Sequence, residues 1–301
     1  TRVQQREVAG NRQLFYDRFF RSLFIFCAVF ITLVIISIIV FLAKQGLSTF
    51  RDVSPLEFHF STRWLPPEHF GAFTFIFGSL AVTGLAVLIG GPLGLAGAIF
   101  MSKVAPAWMR SLMRPATDLF VGIPSVVYGW IGLTVFRPLI QHHVGGAGFG
   151  LFLAGIILAI MILPTVISVS EDALRALPLR FEMASYALGA TRWQTIWRVL
   201  LPAALPGLVT AIILAMARAI GETMAVAMVI GNSPLFRHSL FVPTATLPTE
   251  IVLEMGNTPF GSTWNNALFY MAFTLLLVSL LLIGIIRFVV QRRTAYGQTD
   301  M

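Results

Sequence analysis

Six long apolar segments constrain the fold of this chain more than any other feature of its sequence. Each is close to the roughly 17–25 residues that a helix needs to cross a bilayer. They lie at about residues 22–43, 73–101, 116–140, 150–170, 204–230 and 267–290. The composition agrees, since 57% of the residues are hydrophobic and only 11% are charged, whereas soluble domains carry about 25% charged residues. The sequence therefore predicts an all-α membrane protein with six transmembrane helices.

The Lys and Arg residues favour one side of the predicted membrane. If both termini lie on that side, it holds five of these residues in the N-terminal arm, three after the second segment, four after the fourth and three at the C-terminal end. The opposite side holds five, and Arg218 lies inside an apolar segment. Such an excess indicates the cytoplasmic side, so both termini are predicted to be cytoplasmic. The net charge of +8 then reflects topology, and nucleic acid is not an expected partner.

Several common kinds of site are not expected in this chain. Its one cysteine, Cys27, excludes an intrachain disulfide framework and a cysteine-rich metal site. The loop histidines His142, His143 and His238 show no metal-ligand spacing. The sequence contains no phosphate-binding P-loop. We therefore expect no metal, no cofactor bound by this chain and no enzymatic activity of its own.

The predicted organisation has three parts. Residues 1–21 form a cytoplasmic N-terminal arm, which is either an amphipathic interfacial helix or simply the entry to the first span. Residues 22–290 form the transmembrane domain, which includes a polar cytoplasmic connector at about residues 171–203. Residues 291–301 form a cytoplasmic tail.

Two proline-containing segments lie on the external side. The first, at about residues 45–71, is rich in aromatic residues and suits a short interfacial element or a docking surface. The second, at about residues 231–265, holds four prolines, so one unbroken helix is not expected there. It suits either a re-entrant loop or an irregular surface loop.

The cytoplasmic connector contains the signals of a short, accessible helix. Pro178 can begin it, small residues follow, and Gly189 can end it in the left-handed conformation. Residues 191–201 are predicted to form a second amphipathic helix that leads to Pro202 and the fifth apolar segment. A rigid helix of this kind can receive a push from another protein and transmit it to the spans.

The connector resembles the cytoplasmic EAA loop of ABC-importer permeases. The resemblance rests on the pattern Ala-Ser-x-x-x-Gly-Ala at residues 184–190, followed by Val-Leu-Leu-Pro at residues 199–202. Where that family usually has glutamate this chain has Met183, and Glu182 stands one residue earlier. The resemblance implies that an ATPase subunit contacts this loop. The implied contact residues are Glu182, Met183, Ala184, Ser185, Gly189 and Ala190.

Two apolar segments resemble one particular type of permease within this family. Gly-Ile-Pro-Ser-Val-Val-Tyr-Gly at residues 122–129 and Arg-Ala-Ile-Gly-Glu-Thr-Met-Ala-Val at residues 218–226 are similar to the PstC-type permease of the phosphate ABC importer. The resemblance implies the type I ABC importer (MetI-like) permease fold in a bacterial inner membrane. It implies import of inorganic phosphate by alternating access, with ATP used by a partner subunit. The implied partners are a second homologous permease (PstA type), two ATPase subunits (PstB type), an extracytoplasmic phosphate-binding protein (PstS type) and membrane lipid.

Other functions stay open at this point. The substrate could be another oxyanion, such as sulfate or molybdate, or the chain could be the sister phosphate permease. A stand-alone anion channel and a phosphate-sensing membrane scaffold belong to other classes. Competition between phosphate and sulfate would separate a phosphate permease from a permease for another oxyanion. Co-purification with an ATPase would exclude the stand-alone channel.

The candidate pathway residues are charged or hydroxyl-bearing groups within apolar segments. Charges at bilayer depth are rare, and the i,i+4 spacing of Arg218 and Glu222 predicts contact on one helix face. Arg218 suits phosphate because guanidinium stays charged and presents a planar fork of donors. Glu222 would hold Arg218 in place or accept a hydrogen bond from a protonated phosphate oxygen. A purely structural ion pair is the competing interpretation. Thr223 and Ser125, the latter beside a kink predicted at Pro124, complete the predicted pathway.

Overall fold

Within residues 2–298, the regular secondary structure is helical apart from one short antiparallel hairpin and an isolated bridge between Gly231 and Thr244. The computed structural model describes the backbone of residues 2–298 and the side chains of residues 18–288. In chain order its elements are α1 (Arg2–Leu47), α2 (Pro55–Phe60), β1 (Trp64–Leu65), β2 (His69–Phe70), α3 (Phe73–Ile99), α4 (Ala107–Gly122), α5 (Ser125–Ile131), α6 (Arg137–Val144), α7 (Leu151–Arg175), α8 (Leu179–Ala187), α9 (Arg192–Thr195), α10 (Leu201–Ile220), α11 (Met224–Val229), α12 (Leu247–Glu254) and α13 (Thr263–Gln298). Three π-helical turns lie at Phe100–Val104, Gly132–Phe136 and Ile196–Leu200.

The two ends of the described backbone are helical. Helix α1 begins at Arg2, so the predicted N-terminal arm has no helix end at residue 21. Helix α13 runs to Gln298 and passes the predicted boundary at residue 291. Within the predicted arm, Phe19 and Phe20 are exposed, whereas the side chains of residues 1–17 and of the tail lie outside those that the structure describes.

Among the residues described by the structure, five helical segments are long and apolar enough to cross a membrane. They are Arg18–Arg51, Phe73–Val104, Leu151–Arg175, Arg192–Ile220 and Thr263–Phe288. A sixth span exists if Ala107–Gly122 and Ser125–Val144 are counted as one broken span, because these two helices meet at a bend of 94°. The predicted number of six spans thus includes one that is sharply bent.

The bend between α4 and α5 follows from proline geometry. Pro124 has no backbone N–H, and the residue before a proline is disfavoured in the helical region. Ile123 and Pro124 accordingly have ψ angles of 128° and 138°, outside the helical range. Helix α4 therefore ends at Gly122, and α5 begins directly after the proline at Ser125. The kink predicted at Pro124 is confirmed.

A second break divides the predicted span 204–230, and here the prediction of one continuous helix is wrong. Helix α10 ends at Ile220, and α11 begins at Met224. The carboxylate of Glu222 accepts the backbone N–H of Ala225 at 3.3 Å. This bond satisfies one of the donors that the first turn of α11 leaves without a helical partner. The local hydrogen bond therefore stabilises the start of a new helix rather than continuation of the old one.

The centre of the molecule is formed by α3, α7 and α10. Small residues allow close approach of these helices, as is common in membranes. A Cβ at Gly94 of α3, for example, would lie 2.7 Å from Cβ of Val166 on α7. Large side chains of α7 are fully buried in this core, namely Leu153, Ile157, Leu158, Met161 and Ile162. The core holds α7 between α3 and α10, the helix that carries Arg218.

The outer side of the fold has its own apolar cluster. Side chains from α2, the hairpin, α3 and α13 contribute to it, including Phe58, Trp64, Phe70, Phe75 and Met271. Residues 244–250 are all buried, and the backbone N–H of Leu247 donates to the hydroxyl of Ser79 on α3 at 2.9 Å. The central part of the second external segment, residues 244–250, is therefore packed into the fold at the start of α12, whereas residues 237–240 and 259–261 are exposed.

Two carboxyl groups lie one helical turn apart on α12, outside the membrane-spanning segments. Oε2 of Glu254 accepts the indole N–H of Trp64 at 3.2 Å and that of Trp264 at 2.8 Å. Glu250 is only 4% exposed. Burial and the neighbouring carboxyl of Glu254 raise the pKa of Glu250 to about 8. Glu250 therefore carries a proton at neutral pH while Glu254 ties the hairpin to α12 and α13.

Candidate translocation and coupling sites

Arg218 lies near the C-terminal end of α10 and is half-buried. Its Nη1 donates a hydrogen bond of 3.1 Å to Oγ1 of Thr165 on α7. Tyr128 of α5 packs in the same buried cluster as Ala219, the residue after Arg218, and its hydroxyl donates to the carbonyl of Phe120 at 2.8 Å. The cation is therefore held between α7 and α10, beside the bent α4–α5 pair.

The contact predicted between Arg218 and Glu222 is absent. Among the ion pairs of the described side chains, none joins these two residues. The physical reason is the helix break. Because α10 ends at Ile220, Glu222 does not continue the helix and does not lie on the same helix face as Arg218. Its carboxylate instead accepts the N–H of Ala225. The two charges remain near each other in sequence, but each is held by a different partner.

A small cavity adjoins Glu222. Its polar lining includes the hydroxyl-bearing residues Ser79 and Thr83 of α3 together with Thr246. The cavity measures about 10 Å³, which is about the space that one water molecule needs. A polyatomic anion does not fit in this cavity in this conformation.

Thr223 and Ser125 lie at the starts of two short helices. Thr223 precedes α11, and its hydroxyl donates to the carbonyl of Gly221 at 3.2 Å. Ser125 is the first residue of α5 and is half-buried. Helix α5 packs against α11, where a Cβ at Gly129 would lie 3.1 Å from Cα of Ala225. The fold thus brings the two predicted motif segments, residues 122–129 and 218–226, side by side.

Thr165 was missed by the sequence reasoning. It follows Pro164 at the end of the apolar run of α7, and this position directly after a proline is the only local signal in the sequence. A hydroxyl within a span is common and usually bonds to its own helix. Its partner is 53 residues away in the chain, so only the packing of α7 against α10 identifies it.

The cytoplasmic connector forms the two helices that were predicted. Helix α8 follows Pro178, and Gly189 adopts φ = +78° after its end, a conformation that favours glycine. Helix α9 begins with a capping box in which the Thr191 side chain and Gln194 bond reciprocally to the backbone. It continues through the π-helical turn Ile196–Leu200 into α10. The connector therefore joins the span that carries Arg218 without an intervening loop.

The six residues implied in ATPase contact point in different directions. Met183, Ala184 and Gly189 are exposed, and the adjoining Leu188 is 90% exposed. The other three turn toward the rest of the chain. Glu182 forms an ion pair with Lys103, the buried Ser185 shares a hydrogen bond of 2.9 Å with Thr195, and Ala190 is half-buried.

Comparisons with known proteins agree with this arrangement. The family described as "Binding-protein-dependent transport system inner membrane component" matches residues 90–295. The Bacillus subtilis protein YqgH, named as a probable ABC transporter permease, is 49% identical over 289 residues, which cover 94% of this chain and 93% of that protein. The phosphate transport system permease protein PstC of Xylella fastidiosa is 32% identical over 297 residues, with 92% and 91% covered.

A solved structure also resembles this chain. It shows inward-facing conformations of the MetNI methionine ABC transporter, with 26% sequence identity and a TM-score of 0.54. The similarity covers 73% of this chain and 93% of that one. Both motif segments and the cytoplasmic connector lie within the family match at residues 90–295.

Proposed function

We propose that this chain, which belongs to the family of binding-protein-dependent transport system inner membrane components, is the permease subunit of an ATP-driven importer of inorganic phosphate. The observation that carries the proposal is the half-buried guanidinium of Arg218, which Thr165 orients beside an apolar core. A fixed cation at this depth suits a transported anion. The relative from Xylella fastidiosa is named for phosphate transport.

Membership of the family establishes the general class of this function. The chain is a multi-pass membrane protein, and the predicted type I ABC importer permease fold is confirmed. It is a permease and not an enzyme, and a separate ATPase subunit hydrolyses ATP. A substrate-binding protein is the other class of partner.

Arg218 would recognise the phosphate oxyanion during its passage. Guanidinium presents five N–H donors in a planar fork that matches phosphate oxygens, and Thr165 accepts a bond from one Nη atom. The remaining donor positions suit the anion. Because Thr165 orients the fork before phosphate arrives, less conformational freedom is lost when the anion binds.

The residues around the broken helix would complete the pathway. Glu222 lies in the break between α10 and α11, and irregular backbone at membrane depth is tolerated where it lines a cavity or protein. Its carboxylate would limit how tightly phosphate is held, or accept a hydrogen bond from a protonated phosphate oxygen. Thr223 and Ser125 would supply hydroxyls at the same level.

The connector would link this pathway to ATP hydrolysis. The exposed part of the loop, with Met183, Ala184, Gly189 and the apolar tip Leu188, suits contact with an ATPase subunit. A movement of α8 and α9 would reach Arg218 through the continuous helix α10. We further propose the full partner set: a second permease of the PstA type, two ATPase subunits of the PstB type and a binding protein of the PstS type. Both termini would be cytoplasmic in a bacterial inner membrane.

The substrate is tested with the assembled complex in proteoliposomes. Uptake of radiolabelled phosphate is measured with the binding protein outside and ATP inside, in the presence of excess unlabelled phosphate, sulfate or molybdate. We expect uptake that requires ATP and competition by phosphate only. Equal competition by sulfate would assign the permease to another oxyanion, and uptake without ATP would indicate an anion channel.

A further inference from the structure

Lys103 and Glu182 join the cytoplasmic end of α3 to α8. The π-helical turn Phe100–Val104 extends α3 and carries Lys103, whose Nζ forms an ion pair with Oε1 of Glu182. The two side chains are only 15% and 20% exposed. By contrast, the ion pair of Arg114 with Asp172 on the same side of the chain is 47% and 59% exposed. The Lys103–Glu182 pair is therefore well shielded from water, and it bridges 79 residues of sequence.

Arg110 holds the backbone on which Lys103 stands. Its Nε donates to the carbonyl of Met101 at 2.9 Å, and its Nη2 donates to those of Ser102 at 3.4 Å and Ala105 at 3.3 Å. The last carbonyls of a helix have no partner within it, so these bonds stabilise the end of α3. Lys103 therefore lies on a turn whose backbone is stabilised by the hydrogen bonds from Arg110, and not on a frayed helix end.

A second contact holds α8 to a different span. The hydroxyl of Ser185 lies 2.9 Å from that of Thr195, in buried surroundings. Thr195 directly precedes the π-helical turn that runs into α10. Ser185 and Glu182 are three residues apart and therefore lie on the same face of α8. One face of α8 is therefore joined to the end of α3 by the ion pair of Glu182 and to the start of α10 by the hydrogen bond of Ser185. Met183 remains exposed.

We infer that the Lys103–Glu182 ion pair is a strut that carries the movement of α8 into α3, so that Glu182 acts as a positioning residue within the permease and not as a direct ATPase contact. This inference rests on the proposed function, in which α8 receives the push of the ATPase. A shielded ion pair resists separation because each charge left alone would be poorly solvated. An apolar contact at this place would let the two helices slide.

The strut is tested with the complete complex in proteoliposomes, by measuring phosphate uptake and ATP hydrolysis on the same sample. Glu182→Gln and Lys103→Gln should each lower uptake per ATP about tenfold, since one partner of a shielded pair is lost. The ATPase subunits should still co-purify. The double variant Lys103→Glu with Glu182→Lys should restore uptake to within about threefold of wild type, because the pair is re-formed. Arg114→Gln, in the exposed pair, is the matched control and should change uptake less than about twofold.

Three results would overturn the strut. They are normal uptake per ATP in both single variants, no recovery in the swapped variant, and loss of ATPase co-purification in Glu182→Gln, which would indicate a direct contact. A substrate-independent measurement separates this inference from the proposed function. Zero-length carbodiimide cross-linking followed by mass spectrometry should detect a Lys103–Glu182 amide both without nucleotide and in the ATP-bound state. Loss of that cross-link in either state would contradict the strut, whereas absence of phosphate uptake by the wild type would contradict only the substrate.

Discussion

The guanidinium of Arg218 donates a 3.1 Å hydrogen bond to the hydroxyl of Thr165, which lies 53 residues earlier on a neighbouring span. This bond replaces the ion pair with Glu222 that the i,i+4 spacing predicts. A hydroxyl leaves the positive charge of arginine uncompensated, whereas a carboxylate would neutralise it. The arrangement therefore favours recognition of an anion over a purely structural ion pair, and it makes the two residues separately testable.

Substitution of Arg218 tests the proposed anion pathway. Arg218→Gln should reduce phosphate uptake to the level of liposomes without the complex, because the variant removes the charge and the fork of donors. Arg218→Lys keeps the charge without the fork and should retain a small fraction of uptake. Uptake is measured in proteoliposomes, with co-purification of the ATPase and second permease as the check on assembly. Arg63→Gln, an exposed external arginine, is the matched control, and normal transport by Arg218→Gln would exclude the pathway assignment.

Substitution of Thr165 tests whether its hydroxyl orients Arg218. Thr165→Val keeps the shape but removes the bond to a charged group, so the maximal uptake rate should fall about tenfold at saturating binding protein. Thr165→Ser should recover most of the rate. In the control Thr210→Val, the lost hydroxyl donated at 2.8 Å to Pro206 of its own helix, and we expect little change. A rate in Thr165→Val equal to that control would mean that Arg218 needs no such orientation.

The sequence predicts those features of the fold that depend on local chemistry. The apolar segments identify the spans, Pro124 identifies the bend, and Pro178 and Gly189 identify the ends of α8 because their backbone preferences act at the position itself. The resemblance in the connector and in residues 122–129 and 218–226 identifies the family. These signals need no knowledge of which helices are neighbours.

The features that the sequence does not predict depend on contacts between distant segments. No proline marks the end of α10 at Ile220. The spacing of Arg218 and Glu222 therefore predicts one continuous helix where the structure has two. Thr165 and Lys103 acquire their roles only because α7 meets α10 and α3 meets α8. The domain boundaries and the roles of the site residues remain predictions.

The pH dependence of stability tests the buried carboxyl of Glu250. Its pKa is raised from an ordinary value of 4.5 to about 8. Between these values the folded protein keeps a proton that the unfolded chain has released, so the contribution of Glu250 to stability is fully present below pH 4.5 and is lost as the pH rises toward about 8. The contribution of this group has a slope of at most about 1.4 kcal/mol per pH unit. Thermal unfolding of the purified complex between pH 5 and pH 8 measures it.

Glu250→Gln isolates this contribution from other titrating groups. The amide is neutral at every pH, so the variant should lose less stability than wild type as the pH rises from 5 to 8. Glu68→Gln is the matched control, because Glu68 is an exposed carboxylate on the same outer side. That control should keep the wild-type slope. An unchanged slope in Glu250→Gln would show that the carboxyl is ionised throughout this range.

Substitutions at two glycines of α3 test how closely the second external segment packs against this helix. A Cβ at Gly78 would overlap the carbonyl oxygen of Ala245, whereas a Cβ at Gly84 would meet nothing within 4 Å. Gly78→Ala should therefore displace the buried segment 244–250 and lower the stability of the complex by about 1–3 kcal/mol. Gly84→Ala gains helix propensity without a clash and should be neutral or slightly stabilising. Thermal unfolding of the two variants side by side measures the difference. Equal stability would mean that the segment around α12 can shift away from α3 at little cost, a freedom that its buried hydrogen bond from Leu247 to Ser79 argues against.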